Sequence, residues 1–263
     1  MAHGWVCIGV RMKGLVLRIA ILVLLWAMAA AWPAEGQPAL RHRFGFGIGL
    51  GHDAQKDELV SPLRYSGLLV PFHFEYSFRG RNHGHIVEVE FGASTLTSAI
   101  SRGVSHTQDL YLIDVHGGYE RRIDAPQPWG VWLGVETEHH YAFREHHYTP
   151  VINEYAGIYY SAVGPSFSLN RRIRTAGELG FHVAIPILAF MIRPPYSLKG
   201  SWEPDVVLLN ELTGASSNIY YTYDLSRSFA LRLRYGFSFY RTEIPFRLVD
   251  VQNNLGAVVL FKR

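Results

Sequence analysis

The stretch Leu68 to Phe78, LLVPFHFEYSF, changes chemistry at every second residue. In an extended strand this sends Leu68, Val70, Phe72, Phe74, Tyr76 and Phe78 to one face, and Leu69, Pro71, His73, Glu75 and Ser77 to the other. The same period recurs along the chain from residue 42 onward, and no amphipathic helix interrupts it. Ten segments carry the pattern: 43–51, 68–78, 85–93, 110–120, 129–139, 158–169, 176–189, 218–225, 229–239 and 254–263. Most are long enough to cross a bilayer at a tilt, which takes about 9–11 residues.

Alternation alone leaves open which face is wet. Composition bears on the choice. Only Lys13, Lys56, Lys199 and Lys262 are lysines among 25 Lys plus Arg, whereas a water-facing sheet carries many lysines, partly to blunt its edges. Aromatic residues make up 14% of the chain and there are 25 glycines, well above the roughly 7% glycine of an ordinary domain. The apolar faces hold no Asp, Glu, Lys or Arg within the ten segments, as a lipid-facing surface requires. Opposite them lie Gly45, Gly47, Gly49, Gly92, Gly118, Gly134, Gly164, Gly180, Gly236 and Gly256, suited to a crowded lumen. Tyr76, Tyr119, Trp129, Tyr159 and Tyr223 gather near segment ends, where interfacial girdles form. The net charge of +3, with 18% charged residues, gives no nucleic-acid-binding surface.

The connections alternate in length. Short ones cover 80–84, 122–128, 170–175 and 226–228, and long ones 51–65, 95–108, 140–157, 190–217 and 240–251. The prediction is an all-β, transmembrane, up-and-down antiparallel barrel of about ten strands, with short periplasmic turns and long extracellular loops. Pro71, Pro165 and Pro186 fall inside strands, where each predicts a bulge or a shifted boundary. Asn253 on the outer face places the start of the tenth strand near Asn254.

Ahead of the barrel, Arg11, Lys13 and Arg18 precede the apolar run 19–31, and small residues follow. This is the pattern of a secretory signal peptide over 1–36, cleaved after Ala31 or near Gly36, with Met12 as an alternative initiator. The run is too short for a membrane anchor. Cys7 falls within the segment to be removed, so residues 37–263 form one domain without thiol or disulfide chemistry.

The alternating strands, the unequal connections and a last strand ending LGAVVLFKR resemble the outer-membrane β-barrel superfamily of Gram-negative bacteria. The resemblance covers roughly 42–263, and Phe261 resembles the terminal aromatic by which such barrels are recognised; Lys262 and Arg263 depart from that ending. It implies residence in the cell outer membrane, contact with outer-membrane lipid and lipopolysaccharide, and handling by the outer-membrane assembly machinery. No cofactor and no nucleic acid is expected. A soluble secreted barrel with an apolar ligand inside is the alternative with inside and outside exchanged.

With the apolar face outward, His73, Glu75, Glu88, Glu90, Asp114, His116, Glu136, Glu138, Glu178, His182, Arg232 and Arg234 point inward. Acids outnumber the two arginines of that set, so a narrow acidic lumen is expected, with ion pairing or limited solute passage as its consequence. Ten-stranded omptin proteases resemble this architecture, and Glu136, Glu138 and His140 are the weak catalytic candidates of an outer-membrane hydrolase acting on lipid A or peptides. The paired aspartates of omptins are missing, as are the His-x-Ser of lipid A deacylases and a GxSxG elbow. His139, His140, His146 and His147 are weak metal candidates in what reads as the loop after the fifth strand, without HExxH spacing. Loop 190–217, with Tyr196, Trp202 and VVLL (206–209), reads as a folded lid or a surface-ligand site, with a short helix possible in it.

Overall fold

Long runs of β-branched and aromatic residues, punctuated by Gly, Pro and Asn at the turns, produce strands and nothing else among the described residues. The computed structural model describes residues 41–58, 63–99, 105–123, 129–149, 152–173, 177–192, 204–208, 211–243 and 247–263. The signal-peptide segment, its cleavage region and Cys7 lie outside them. The strands are β1 (Arg41–Asp57), β2 (Arg64–Arg79), β3 (His83–Ala99), β4 (Ser105–Ile123), β5 (Trp129–Thr149) and β6 (Ile152–Ile173). They continue with β7 (Gly177–Ala184), β8 (Leu188–Ile192), β9 (Pro204–Leu208), β10 (Leu212–Asp224), β11 (Phe229–Thr242) and β12 (Leu248–Lys262).

Sequential strands pair antiparallel from β1 to β6, and β12 pairs with β1, with Phe44 opposite Phe261 and Gly49 opposite Gly256. β7 and β8 are two halves of one wall strand beside β6, and β7 also pairs with β10. The wall therefore closes on itself as a ten-stranded barrel. β9 pairs with β8 and is one strand beyond that count. Where β7 meets β10, closure removes the unpaired backbone edges that a lipid-embedded sheet cannot tolerate, whereas β9 pairs on one side alone.

Two of the three prolines sit where the ladder is interrupted by design of their neighbours. Ile185 N donates to the Pro165 carbonyl at 3.1 Å. The return bond of a normal antiparallel pair is absent because Pro165 has no N–H. The chain breaks there, at 185–187, into β7 and β8, and Pro186 packs over Gly214. Pro71 needs no bulge, because the β1–β2 register is the same on either side of it. Its ring lies on the bare face of Gly49, where an added Cβ would come within 2.9 Å of Pro71 Cγ.

The strands are longer than the alternation suggested, and most of the extra length is at the rim away from the short turns. β5 continues to Thr149 and β6 begins at Ile152, so the histidine-rich stretch is strand, not loop. Asn253 likewise lies inside β12, which starts at Leu248. Of the expected lid, 190–192, 204–208 and 212–217 are strand, and 193–203 and 209–210 lie outside the described residues.

Burial is inverted relative to a water-soluble barrel. Outward-facing Phe46, Leu68, Leu133, Leu233 and Leu255 are half or more exposed (51%, 58%, 50%, 52% and 64%), while His73, Glu75, Glu136 and Arg232 on the inner face are buried. The interior has two zones. Near the short turns it is charged. Toward the other rim it fills with inward-facing Leu69, Leu96, Leu110, Leu112, Ile158, Met191, Leu212 and Leu248, which form one apolar cluster. An apolar-ligand chamber is thus not what the interior provides.

Candidate functional site in the lumen

Strand parity places every polar residue expected in the lumen on the inner face. Their pairings reach across the bore. Arg232 on β11 donates to Glu75 on β2 at 2.5 and 2.6 Å. Arg234 meets Glu88 at 3.1 Å, and Asn254 donates to Glu90 at 3.3 Å. His73 bonds Glu90 at 2.9 Å across the β2–β3 pair. At the short-turn end Glu178 accepts from Arg43 at 3.2 Å and Arg79 at 3.3 Å. Groups this deeply buried are tolerated because each charge has an opposite partner or a hydrogen bond.

Glu136, Glu138 and His140 sit at alternate positions of β5 and face inward together, but each is already engaged by other side chains. Glu136 bridges His116 at 3.1 Å and His182 at 2.7 Å. Glu138 accepts from Tyr160 at 2.5 Å. His140 Nδ1 lies 2.5 Å from Asp114, and its Nε2 is 3.2 Å from the Tyr240 hydroxyl, which donates to Asp250 at 3.2 Å. Tyr160 stacks on the His140 ring at 5.0 Å. Arg144, 1% exposed, continues the chain by meeting Asp57 at 3.0 Å and Asp250 at 3.5 Å inside the apolar cluster.

Ser168, His182 and Glu136 form a line with the composition of a nucleophile, a base and an acid. His182 Nδ1 is 2.8 Å from Ser168 Oγ and its Nε2 is 2.7 Å from Glu136. Ser168, however, gives its one hydroxyl proton to Glu120. Both ring nitrogens of His182 are then left to donate, which makes the line an ion-paired cluster and not an activated hydroxyl.

The four metal candidates do not converge. On β5, His140 and His146 face inward, while His139 and His147 face outward, because successive side chains of a strand point to opposite sides. Among the described residues no group of three or more His, Cys, Asp or Glu side chains is placed to hold a metal ion.

The lumen carries more charge of both signs than the expected set with its two arginines, and its carboxylates still outnumber its arginines. Arg43, Arg79 and Arg144 also point inward, as do Asp53, Asp57, Glu120 and Asp250. Each extends a parity already visible: Arg79 follows Glu75 and Ser77, and Arg144 follows Glu138 and His140. Counting on along the strand finds them. Among the described residues, two small spaces lie between these groups. One cavity of about 30 Å³ is lined by Arg79, Glu120, His182 and Arg232, and another of about 50 Å³ by His73, Glu90, Asp114 and His140. Such volumes hold a few water molecules.

No family model matches the chain, and no curated protein matches it in sequence. Solved structures do match it in shape. The outer-membrane protease OmpT from Escherichia coli aligns over 88% of this chain and 99% of its own, with a TM-score of 0.58 and 8% identity. The translocator domain of the autotransporter NalP from Neisseria meningitidis aligns over 94% and 97%, with a TM-score of 0.46 and 7% identity. Ail, the attachment invasion locus protein of Yersinia pestis, aligns over 83% and 98%, with a TM-score of 0.34 and 11% identity. Identity this low speaks to fold and not to activity. The closed wall, the inverted burial and the OmpT alignment together give this chain the fold of the outer-membrane β-barrel proteins.

Proposed function

We propose that the chain is an integral outer-membrane barrel with a filled lumen, serving a structural or surface-interaction role. One observation carries this reading: the outer face is apolar and exposed, while the inner face is charged, ion-paired and capped by an apolar cluster. Burying that outer face in hydrocarbon is strongly favourable, at about 25 cal/mol per Å². The signal segment supports export, and the short turns then face the periplasm. Solute passage has less support, because the Arg144, Tyr240 and leucine layer crosses the bore. Hydrolysis also has less support, because Glu136, Glu138 and His140 are each already engaged by other side chains.

Two measurements test the proposal. The folded chain should require detergent for extraction and migrate faster on gels before heating than after. In planar bilayers it should insert without steady ion conductance; a stable open channel would refute the filled lumen.

A further inference from the structure

Among the described residues, the exposed charges of this barrel are distributed unevenly between its rims. At the short-turn rim stand Arg81 after β2, Arg121 and Arg122 at the end of β4, Arg171 and Arg172 at the end of β6, Arg227 between β10 and β11, and Arg263 after β12. All are exposed. The acidic side chains of that end, among the described residues, are already taken: Glu120 and Glu178 turn inward to Arg79 and Arg43, and Asp224 accepts from Lys262 at 2.9 Å. Among the described residues no carboxylate lies within ion-pair distance of these arginines. At the opposite rim charges do pair, as Lys56 with Glu58 at 2.7 Å, His147 with Asp109 at 3.2 Å and Arg247 with Glu243 at 4.0 Å.

The arginines also sit at a defined depth. Outward-facing His42, Tyr76, Phe78, His85 and Tyr119 form a continuous ring-contact band along β1 to β4, with centroids 5.1 to 6.1 Å apart. On the strands flanking that band, Phe229 and Phe261 meet at 5.0 Å, and the Arg171 guanidinium lies 5.0 Å over the Trp129 ring. Aromatic bands of this kind mark the membrane interface. Guanidinium groups one step beyond it reach the level of lipid phosphates, which they match with two parallel N–H donors.

We propose that the short-turn rim binds the anionic headgroups of phospholipids in the leaflet that meets it, a reading that rests on the membrane insertion proposed above. The densest part is the end of β4 to β6, three adjacent strands carrying Arg121, Arg122, Arg171 and Arg172. The occupant is an anionic phospholipid because Arg121 and Arg171 continue the apolar, aromatic-edged outer face, and the Glu178 that stands opposite Arg172 is already held by Arg43 and Arg79.

The test uses the full chain refolded into phosphatidylcholine vesicles containing brominated phosphatidylglycerol or, separately, brominated phosphatidylcholine. The readout is the tryptophan quenching that disappears in Trp129→Phe. At equal mole fraction, the anionic lipid should quench Trp129 more strongly, with a preference of roughly fivefold or more, and added salt should erase it. The variant Arg121→Gln/Arg122→Gln/Arg171→Gln/Arg172→Gln should insert, remain heat-modifiable and lose the preference. Equal quenching by both lipids, or a preference kept by that variant, overturns the inference while leaving insertion intact. Absence of quenching by either lipid overturns insertion and the inference with it. Arginine-dependent binding of a soluble polyanion to the detergent-held barrel, with no lipid preference, assigns the rim to a soluble partner and also overturns it.

Discussion

Removing Arg232 alone should unfold the barrel at markedly lower denaturant, whereas removing Arg232 and Glu75 together should not. Arg232 and Glu75 are 6% and 5% exposed, so solvent screens the pair little. Arg232 gives up three interactions in Arg232→Met: the paired contacts to Glu75, a 3.0 Å bond to Thr222 and its position 4.3 Å over the Tyr220 ring. A charge-assisted bond contributes about 1.5–3 kcal/mol and a neutral one about 0.5–1.5 kcal/mol, and a desolvated cation–π contact about 2 kcal/mol. The sum overlaps the roughly 3–5 kcal/mol found when one member of a buried pair is deleted. Because Arg232 lines the small cavity near the short-turn rim, water can reach the stranded Glu75, and about 3 kcal/mol is the expected cost. In Arg232→Met/Glu75→Met no charge is stranded, and the cost should fall to about 1 kcal/mol or less. Equilibrium unfolding in lipid vesicles, followed by tryptophan fluorescence, gives all three differences. If the single variant costs under about 1 kcal/mol, or the double variant costs the sum of the singles, the reasoning from stranded charge is wrong.

Leu233→Arg places a cation on the lipid face and should cost about 2–4 kcal/mol by vesicle unfolding, against near zero for the exposed turn variant Arg227→Ala. Gly180→Val should cost about 1–3 kcal/mol, because an added Cβ falls 2.0 Å from the Tyr220 ring that supports Arg232; a neutral effect would show that Tyr220 is free to move. Leu112→Ala in the apolar cluster should cost about 2–5 kcal/mol and leave the barrel non-conducting in planar bilayers, since Leu69, Tyr240 and Arg144 still cross the bore.

What could be read from the residues follows from the range of the signal. Strand parity is local: His73 and Glu75 declare their face through Phe72, Phe74 and Tyr76, so orientation and strand count were legible. Strand length was not, because the inner face itself turns apolar beyond the charged zone. Leu69, Leu96, Leu110 and Leu112 point inward, and once both faces are apolar the alternation fades. The same effect hid β5 within HHYAFREHHY, where His140, Ala142, Arg144 and His146 keep the inward parity. Pairing within the lumen was also hidden. Arg232 meets Glu75, and Arg43 meets Glu178, from strands far apart in sequence, and the stagger of the closed sheet decides who faces whom. Exposed arginines at successive turn ends looked unremarkable singly; closure puts them on one circle.

The seam between β1 and β12 has a kinetic consequence. Phe44 and Phe261 come from opposite ends of the described chain, so the contact that seals the wall is the one with the greatest loop-closure cost. Until it forms, β1 and β12 each present a row of unbonded amides and carbonyls. In hydrocarbon each such group costs several kcal/mol. An intermediate lacking only that seam is therefore far more costly in the bilayer than in water, and the sheet should curl and meet its own end before, or as, it enters lipid. The wall cannot be laid down strand by strand inside the membrane. It must arrive nearly closed.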